Sequence, residues 1–380
     1  MILNDKKIKV LHIVGGMVAG GIETLLMNVY RNIDRKKFHF DFAVQTDEEC
    51  FYDKEIKELG GRVIPHPKPG KSISAYIREL KKTIETYGPY DVIHSHVLFF
   101  SGISLKIASQ LGIPIRIAHS HNTHDSRKDN LLRNFYRKYM RSLIKKHATA
   151  MFGCSGEACE YLFGENCWKD QRVKFLPNAI DIEPFSDLNP EKKIVVEELE
   201  LNKNQTLIGH IGRFTKQKNH LFLINIFEKF LDFKPDSHLL LIGEGDDKEY
   251  IKEYVNEKGI ASNVHFLGVR DDVPSILSEL DLFLLPSLYE GLGIVLVEAQ
   301  MAGVPSLVSD NVPSEADLGI GLVKSLSLHT NKEYWAQQML EMLKIKHPDW
   351  ETRKSALQSN GYDVTSMVTK LSDIYSSNKK

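Results

Sequence analysis

Two carboxylates stand in the apolar, glycine-containing stretch SLYEGLGIVLVEAQMAGVP, residues 287–305. The strand-like segment LDLFLLPS precedes it, so we predict a helix that begins near residues 291–293. Unpaired N–H groups at such a helix start suit a phosphate, whereas Glu290 and Glu298 need neutral hydroxyl donors. Glu290 would stand before that helix and Glu298 two turns along it. Eight residues are about 2.2 helical turns, which puts the two carboxylates near one face. This predicts that the two glutamates bind sugar and ribose hydroxyls on either side of a phosphate. In the alternative without a ligand, Glu290 only marks the helix entry and Glu298 is a solvated side chain.

Two cations lie in GRFTKQKNH, residues 212–220, directly after the strand-like LIGHI. Arg213 and Lys218 are five residues apart on a loop that leads into a helix, where both could reach one diphosphate. Basic surface residues are common, so this pattern alone is weak evidence for a diphosphate site. Together with the glutamate stretch it becomes stronger evidence.

The glycine-rich loop GGMVAGGIE follows the first strand-like segment, IKVLHIV. It lacks the G-x-G-x-x-G spacing of dinucleotide-binding loops and the G-x-x-x-x-G-K-[ST] pattern of a P-loop, which disfavours a dehydrogenase or an ATPase. Glycines here would let the backbone approach a phosphate or a sugar, and a plain tight turn is the alternative.

Four histidines end two further strand-like segments, DVIHSHV and IRIAHSH. Alternation along a strand places His94 with His96, and His119 with His121, on one face of each strand. Clustered imidazoles can bind zinc, but no carboxylate or cysteine stands beside them at motif spacing, so we expect no metal. The pattern favours a hydrogen-bonding or acid–base imidazole facing a substrate, with a structural role left open for the first pair.

The elements that must position these residues form two series of alternating strands and helices. Polar and proline residues accumulate between the series, over residues 181–205. We predict an α/β protein of two doubly wound Rossmann-like domains, residues 1–185 and 186–361, facing across a cleft. A helix over 362–380 could pack back on the first domain. Residues directly after the strands would then line the site.

The chain has 380 residues, 49 basic and 50 acidic side chains, and a net charge of −1. That balance disfavours a nucleic-acid-binding protein, and the length suits two domains. Its four cysteines show no CxxC or zinc spacing, which favours a reducing cytoplasm. The N-terminus is not typical of a signal peptide, and no apolar run reaches the roughly 18 residues of a spanning helix.

A basic amphipathic segment covers residues 127–147, RKDNLLRNFYRKYMRSLIKKH. Apolar residues recur in it at helical spacing between eight Lys or Arg side chains. Such a helix either lies on an anionic membrane or packs on the core with a solvated basic face.

Taken together, these motifs resemble the family-four retaining glycosyltransferases of GT-B architecture, over almost the whole chain. The segments that carry the resemblance are GGIE (20–23), AHSHN (118–122), LPNAID (176–181), GRFTKQKN (212–219), GEG (243–245), FLG (266–268) and the E-x7-E stretch. Within that family the chain is most similar to bacterial exopolysaccharide and capsule assembly enzymes.

The resemblance implies a nucleotide-sugar donor, expected to be a UDP-sugar, bound mainly by the second domain. Arg213 and Lys218 would neutralise the departing diphosphate. Glu298 would bind the ribose and Glu290 the donor sugar. The other implied donor contacts are Gly20 and Gly21 at the diphosphate, Phe266, Leu267, Gly268 and Val269 near the base, and Gly293, Ile294 and Val295 at the phosphate and sugar.

The resemblance also implies transfer with retention, in which the acceptor attacks the face that the leaving group departs from. A donor phosphate oxygen would take the acceptor's proton. Either His119 or His121 would lie by the reacting sugar, because the family's single histidine aligns with both. The chain has no D-x-D triplet, so we expect no cofactor or metal, with protein cations in its place.

The implied acceptor is a glycan or a polyprenyl-diphosphate-linked sugar at the cytoplasmic face of the membrane, with residues 127–147 as a docking surface. Two alternatives stay open because fold does not fix function. A nucleotide-sugar 2-epimerase of the same architecture would convert its donor without an acceptor. A non-catalytic nucleotide-sugar-binding protein would bind UDP and release none from a donor.

Overall fold

The computed structural model describes residues 7–124, 130–186, 188, 193–202 and 204–377. The chain divides into two compact units, here called unit 1 (Met1–Ala179 and Val364–Lys380) and unit 2 (Ile180–Asp363). Residues 127–129 of the predicted basic helix, and residues 187, 189–192 and 203 of the predicted boundary, lie outside the described residues.

Unit 1 begins with seven strands and the helices between them. The strands are β1 (Ile8–Val14), β2 (Phe38–Val44), β3 (Arg62–Pro65), β4 (Val92–Ser95), β5 (Ile115–Ser120), β6 (Ala150–Gly153) and β7 (Val173–Phe175). The helices are α1 (Gly21–Asn32), α2 (Asp53–Glu58), α3 (Ile73–Tyr87), α4 (Ser101–Gln110), α5 (Leu131–His147) and α6 (Gly156–Phe163). The strands pair in the order β3-β2-β1-β4-β5-β6-β7, and every pair is parallel.

Both faces of this sheet are covered, which explains why its strands are nearly continuous apolar runs. One face packs Val10, Phe40 and Phe42 against Tyr30 of α1. The other face packs Leu11 and Ile93 among residues of α3, α4 and α5. The strand order reverses between β1 and β4, so this is the switch point of the unit.

Unit 2 repeats the architecture with six strands. These are β8 (Thr206–Ile211), β9 (Ser237–Ile242), β10 (Val264–Gly268), β11 (Leu282–Leu285), β12 (Ser306–Ser309) and β13 (Val323–Leu326). Its helices are α7 (Glu183–Ser186), α8 (Ile194–Glu198), α9 (His220–Leu231), α10 (Lys248–Glu257), α11 (Val273–Glu279), α12 (Ile294–Met301), α13 (Lys332–Met342) and α14 (Trp350–Ser359). The parallel order β10-β9-β8-β11-β12-β13 reverses between β8 and β11. Two doubly wound Rossmann-like domains are therefore confirmed.

The last helix, α15 (Val364–Ser376), belongs to unit 1 rather than to the unit that precedes it in sequence. It buries Met367, Leu371 and Tyr375 in the core beneath α1. Among the helices of the described residues, none is long and apolar enough to cross a bilayer.

Candidate active site

The switch point of unit 2 brings together the loops that follow β8 and β11. In a parallel sheet these loops leave in opposite directions, and a crevice opens between them at the carboxyl edge. Backbone and side-chain hydrogen bonds join the loops: Gln217 O accepts from Leu288 N at 2.8 Å, and Gln217 Nε2 donates to Tyr289 O at 3.0 Å. Asn219 Nδ2 adds a bond to Pro286 O at 3.0 Å. The two loops therefore form one rigid cluster.

Lys218 and Glu290 meet inside this cluster. Lys218 Nζ donates to Glu290 Oε1 at 2.6 Å, and both side chains are largely buried. Ser287 Oγ donates to the same oxygen at 2.6 Å, and Gln217 Nε2 donates to the other at 3.2 Å. The sequence predicts separate roles for the lysine and the glutamate, and the structure joins them in one ion pair.

Close backbone contacts hold the lysine loop in place. A β-carbon on Gly212 would come within 2.8 Å of Lys218 Cε, so the lysine stem lies directly on the Gly212 backbone. Gly243 and Gly245, in the loop after β9, have positive φ angles and press on the carbonyls of Gly212 and Phe214. The GEG segment therefore packs directly against the backbone of the loop that carries Arg213 and Lys218.

Arg213 lies beside this ion pair in sequence but is not part of it. Its side chain is exposed. Within the part of the chain that the structure describes, no hydrogen bond or ion pair engages its guanidinium. Arg213 thus keeps its full donor capacity for an anion.

Helix α12 begins at Ile294, and the structure corrects the geometry predicted for the two glutamates. Gly293 is the N-cap, with φ +81°, so the chain turns sharply there and Glu290 stands outside the helix. Helical spacing therefore cannot relate Glu290 to Glu298, which lies about one turn, not two, into the helix.

The start of α12 is an open donor site. Its N-cap residue, Gly293, has no side chain with which to cap it. Among the described residues, none accepts a hydrogen bond from the backbone N–H groups of Ile294 or Val295. Unsatisfied N–H groups and the positive end of the helix dipole favour an anion at this point.

Glu298 lies one turn after these groups. It follows Ile294 by four residues, so it shares the face of α12 that is only half-buried, and a helical side chain leans toward the helix start. Burial raises the pKa of Glu298 to about 7. No described residue hydrogen-bonds its carboxylate. A ligand hydroxyl that donates a hydrogen bond to this carboxylate would therefore stabilise it.

The residues predicted near the base lie on the edge strand β10 and just after it. Phe266 is half-buried and stacks on Phe214, with ring centroids 5.8 Å apart, and Leu267 lies at a bulge in the strand. Gly268, at φ +68°, accepts a hydrogen bond from Gly243 N at 2.8 Å. Val269 is exposed. The Gly268–Gly243 bond ties this edge to the GEG loop.

In unit 1, Gly20 and Gly21 form the N-cap and first residue of α1. The N-cap glycine has no side chain with which to cap this helix start, and a β-carbon on Gly20 would lie 2.6 Å from Glu23 Oε2. The Glu23 carboxylate thus folds back over the glycine turn, an arrangement that the sequence analysis does not foresee.

Five histidines of unit 1 form a buried row on β1, β4 and β5 and the residues that follow. His12 joins the four predicted ones, and none is more than 6% exposed. Burial, followed by the nearby imidazoles, holds the pKa values of His94, His96 and His119 well below their usual range. Burial lowers the pKa of His121 to about 4 and that of His12 to about 3. All five are therefore neutral at pH 7.

Hydrogen bonds link the rings in two separate sets, one of three rings and one of two. His12 Nδ1 lies 3.2 Å from His96 Nε2, and His96 Nδ1 lies 2.9 Å from His121 Nε2. His94 Nε2 lies 3.2 Å from His119 Nδ1. Both nitrogens of His121 are in use, because its Nδ1 also contacts Asn178 Oδ1 at 3.3 Å.

Helix α5 confirms that the basic segment is helical over residues 131–147, and large apolar side chains stand among its exposed residues. Leu131, Leu132 and Phe135 are 89%, 82% and 73% exposed. Arg141, by contrast, donates to the carbonyls of Leu162 and Tyr161, at 3.1 and 2.9 Å, on the protein side of the helix.

Sequence reasoning missed several residues of these clusters. Gln217 and Ser287 hold Glu290, and Asn178 and Tyr375 hold the histidine row. Gln217 lies in the motif GRFTKQKN and Asn178 in the motif LPNAID, so these motifs could have pointed to both residues. Nothing in the sequence pointed to His12, a lone histidine in the apolar strand IKVLHIV, or to Tyr375 in the last helix.

The fold and motifs assign the chain to a class of enzymes. The profile described as "Glycosyltransferase Family 4" matches residues 19–184, and that described as "Glycosyl transferases group 1" matches residues 191–360. The chain belongs to this glycosyltransferase family, and its two units have the domain folds of the GT-B architecture.

Particular relatives are similar over most of their length. "Putative glycosyltransferase EpsF" of Bacillus subtilis (strain 168) is 35% identical over 98% of this chain and 97% of its own. An Escherichia coli protein, "UDP-Gal:alpha-D-GlcNAc-diphosphoundecaprenol alpha-1,3-galactosyltransferase", is 25% identical over 80% of each chain. The solved structure of Anabaena Alr3699/HepE in complex with UDP has a TM-score of 0.74 and 17% identity, covering 98% of this chain and 100% of that one.

Proposed function

We propose that this protein transfers a sugar from a UDP-sugar, with retention of anomeric configuration, to a glycan or lipid-linked acceptor. The observation that carries the proposal is the Lys218–Glu290 pair in the loop cluster that leads into the uncapped start of α12. Cations and N–H groups there suit a diphosphate, and carboxylates suit sugar hydroxyls. Relatives support the donor and acceptor classes, since the E. coli protein is named for UDP-Gal and a diphosphoundecaprenol-linked sugar, and the Anabaena protein was solved with UDP.

In the proposed reaction, the bond between the sugar C1 and the β-phosphate oxygen breaks as the acceptor oxygen bonds to C1 on the same face. The acceptor's proton passes to a donor phosphate oxygen. Arg213 and Lys218 offset the charge on the departing UDP, with the α12 N–H groups beside them. Glu290 accepts from three side chains, so it is held as a hydrogen-bonding group rather than a nucleophile. This supports a reaction without a covalent intermediate.

We further assign the ribose to Glu298, the base to residues 266–269, and the diphosphate turn to Gly20 and Gly21. His119 is the better candidate for the imidazole by the sugar, because both ring nitrogens of His121 are already bonded within the protein. Protein cations take the place of a divalent metal at the diphosphate.

Calorimetric titration of UDP into the purified protein, with chelator present, tests the donor site first. We expect metal-free binding that Glu298→Ala weakens. If wild type binds no UDP, the nucleotide assignment is wrong and GDP- and ADP-linked donors become the next candidates.

Turnover then separates transfer from its alternatives. We expect release of UDP from a UDP-sugar to depend on an added polyprenyl-diphosphate-linked acceptor and to continue in excess chelator, with a product whose NMR anomeric coupling matches the donor. Conversion of the donor without acceptor would indicate the 2-epimerase. Binding with no turnover of any donor would indicate a binding protein.

We also propose that the enzyme works at the cytoplasmic face of the membrane in surface polysaccharide synthesis, with α5 as its docking surface. The exposed Leu131, Leu132 and Phe135 offer apolar side chains to the lipid, and Lys138, Lys145 and Lys146 on the same helix offer positive charge. Because Arg141 is bonded to the protein, the apolar residues make the cleaner test.

The membrane test compares two serine variants in liposome flotation. Leu131→Ser with Phe135→Ser should abolish association with anionic vesicles. Phe233→Ser is the matched control, because Phe233 is 48% exposed on unit 2 and should leave association unchanged. Equal flotation of both variants would remove α5 from this role.

A further inference from the structure

Tyr375 connects the last helix of the chain to the histidine row of unit 1. Its side chain is fully buried, and its hydroxyl lies 2.8 Å from Nδ1 of His94. The other ring nitrogen of His94, Nε2, lies 3.2 Å from Nδ1 of His119. A line of hydrogen bonds thus runs from α15 through His94 on β4 to His119 on β5.

The tyrosine end of this line shows in which direction the protons are donated. A neutral imidazole carries a proton on one nitrogen and a lone pair on the other, so each ring passes the direction on to the next group. No described residue other than His94 hydrogen-bonds the Tyr375 hydroxyl. If Nδ1 of His94 carried the proton, the buried hydroxyl proton would have no acceptor, which is costly. Tyr375 therefore donates to His94.

The histidine end of the line gives the same direction. Burial and the nearby imidazoles lower the pKa of His119, and the Leu176 backbone offsets part of this fall. Only a carbonyl oxygen acts in that sense, because a backbone N–H group would disfavour the charged ring. Nδ1 of His119 faces His94, so the carbonyl lies toward Nε2, which is buried and makes no hydrogen bond with a described residue. A lone pair there would face a carbonyl oxygen, so the proton belongs on Nε2.

Both ends are therefore consistent with one arrangement of protons. Tyr375 donates to Nδ1 of His94, His94 donates from Nε2 to Nδ1 of His119, and His119 keeps its own proton on Nε2. The reverse arrangement would leave a buried hydroxyl proton without an acceptor and would turn a lone pair toward a carbonyl oxygen. Without the tyrosine hydroxyl, His94 could adopt either tautomer, and His119 would follow it.

We propose that Tyr375 is a positioning residue for sugar transfer, because it holds His119 as the tautomer that carries its proton on Nε2. This inference rests on the proposed function, which places His119 beside the donor sugar. In that tautomer, Nε2 can donate to a hydroxyl oxygen of the transferred sugar and cannot accept a proton. A sugar oxygen supplies the well-aligned acceptor that the described residues do not provide. Helix α15 then serves the site as well as the core of unit 1.

NMR of the full chain labelled with ¹⁵N-histidine tests the tautomer without any assay of transfer. The protonated and unprotonated nitrogens of a neutral imidazole give well-separated signals, and His119→Gln identifies those of His119 by their loss. We expect wild-type His119 to carry its proton on Nε2. Tyr375→Phe keeps the buried ring and removes only the hydroxyl, so it should mix the two tautomers. A wild-type proton on Nδ1, or unchanged His119 signals in Tyr375→Phe, would overturn the proposal.

Kinetics test the role of Tyr375 in transfer. Tyr375→Phe should lower kcat by roughly 10- to 100-fold, because the second tautomer lacks the donor at Nε2. Its calorimetric affinity for UDP should stay unchanged, since the ribose and the base are assigned to unit 2. A normal kcat for Tyr375→Phe would contradict the proposal.

Tyr30→Phe is the matched control. Tyr30 is also fully buried in the core of unit 1, but its hydroxyl donates to the Leu59 carbonyl at 3.2 Å and not to a histidine. This variant should change neither the His119 tautomer nor kcat, and an equal loss of kcat in both variants would count against a specific role of Tyr375. A wild-type protein without transfer would refute the proposed function, and the NMR measurement would separate that failure from a wrong tautomer.

Discussion

At the scale of single residues, Glu298 and Glu290 are carboxylates in opposite circumstances. Glu290 accepts hydrogen bonds from Lys218, Ser287 and Gln217, whereas no described residue bonds the carboxylate of Glu298. Only Glu298 therefore has its protonation state left for a ligand to set.

Glu298 predicts proton release on UDP binding. Its pKa is about 7 in the free protein, and ribose hydroxyls that donate to the carboxylate favour the ionised form. Binding should therefore lower this pKa, release a fraction of a proton near pH 7, and tighten as pH rises through 7. Titrations in buffers of different ionisation enthalpy measure the release. The nucleotide's own phosphate contributes equally to wild type and Glu298→Gln, so equal release in both proteins would exclude Glu298.

The same residue predicts a pH dependence of stability. The folded pKa of about 7 exceeds the ordinary value of 4.5, so the folded state binds more protons between these limits. Stability from Glu298 is complete below pH 4.5 and is lost as pH rises through 7. One pKa unit corresponds to about 1.4 kcal/mol, so Glu298→Gln should stabilise unit 2 by roughly 2–3 kcal/mol at pH 8 relative to wild type. Denaturant unfolding at pH 5 and pH 8 checks this; an equal effect at both values would contradict it.

The place of Lys218 in the site predicts that its removal lowers the rate of transfer. Removing one charge-stabilising donor from an enzyme site typically costs about 10²- to 10³-fold in turnover, and we expect Lys218→Ala to fall in that range. Lys216→Ala is the control, because Lys216 is exposed on the same turn. Steady-state rates with saturating donor compare the two, and similar rates for both variants would remove Lys218 from the reaction.

At the scale of elements, the decisive feature is the start of α12. Gly293 takes a left-handed conformation that frees the N–H groups of the first turn and sets Glu290 outside the helix. A residue with a β-carbon would resist that conformation and shift the turn.

Gly293→Ala should therefore weaken UDP binding and lower the free energy of unfolding by about 1–2 kcal/mol, the usual cost of a left-handed non-glycine residue. Gly319→Ala separates the two effects, because Gly319 has φ +73° with no atom near its absent β-carbon. It should lose similar stability and keep normal UDP affinity. Calorimetry measures the UDP affinity, and denaturant unfolding measures the free energy of unfolding. If both variants bound UDP more weakly, the loss of binding would come from general destabilisation and not from the start of α12.

At the scale of the whole molecule, the chain returns to unit 1 through α15 after completing unit 2. Met367 and Leu371 are buried beneath α1, and Tyr375 reaches His94. The core of unit 1 is thus complete only when α15 is in place.

Met367→Ala with Leu371→Ala should destabilise unit 1 by several kcal/mol, since each buried side chain costs about 2–5 kcal/mol when truncated. Hydrogen exchange measured by mass spectrometry should show faster exchange in β1 and β2 and unchanged exchange in β8 and β11. Lys370→Ala, on the exposed side of the same helix, should change neither. Equal acceleration in both units would show that α15 does not act on unit 1 alone.

Much of the fold could be predicted from the sequence because its signals are local. Strands covered on both faces must be apolar throughout, and glycines mark the turns after them. The sequence therefore predicts β1, β8 and β11 as strands followed by loops. The family motifs likewise follow one another in a fixed order along the chain, and they lead to the glycosyltransferase family that the comparisons confirm.

What only the tertiary structure decided depends on contacts between distant residues or on backbone angles. Lys218 and Glu290 are 72 residues apart and meet because β8 and β11 are sheet neighbours, which no local pattern encodes. The left-handed angle at Gly293 fixed the start of α12 at Ile294, directly after the range that the sequence predicted. His12 and Tyr375 joined the histidine row because parallel strands and a returning helix bring residues from both ends of the chain to one core. The sequence by itself thus determined the alternating elements and the chemical groups at their ends, and three-dimensional packing determined which of those groups touch.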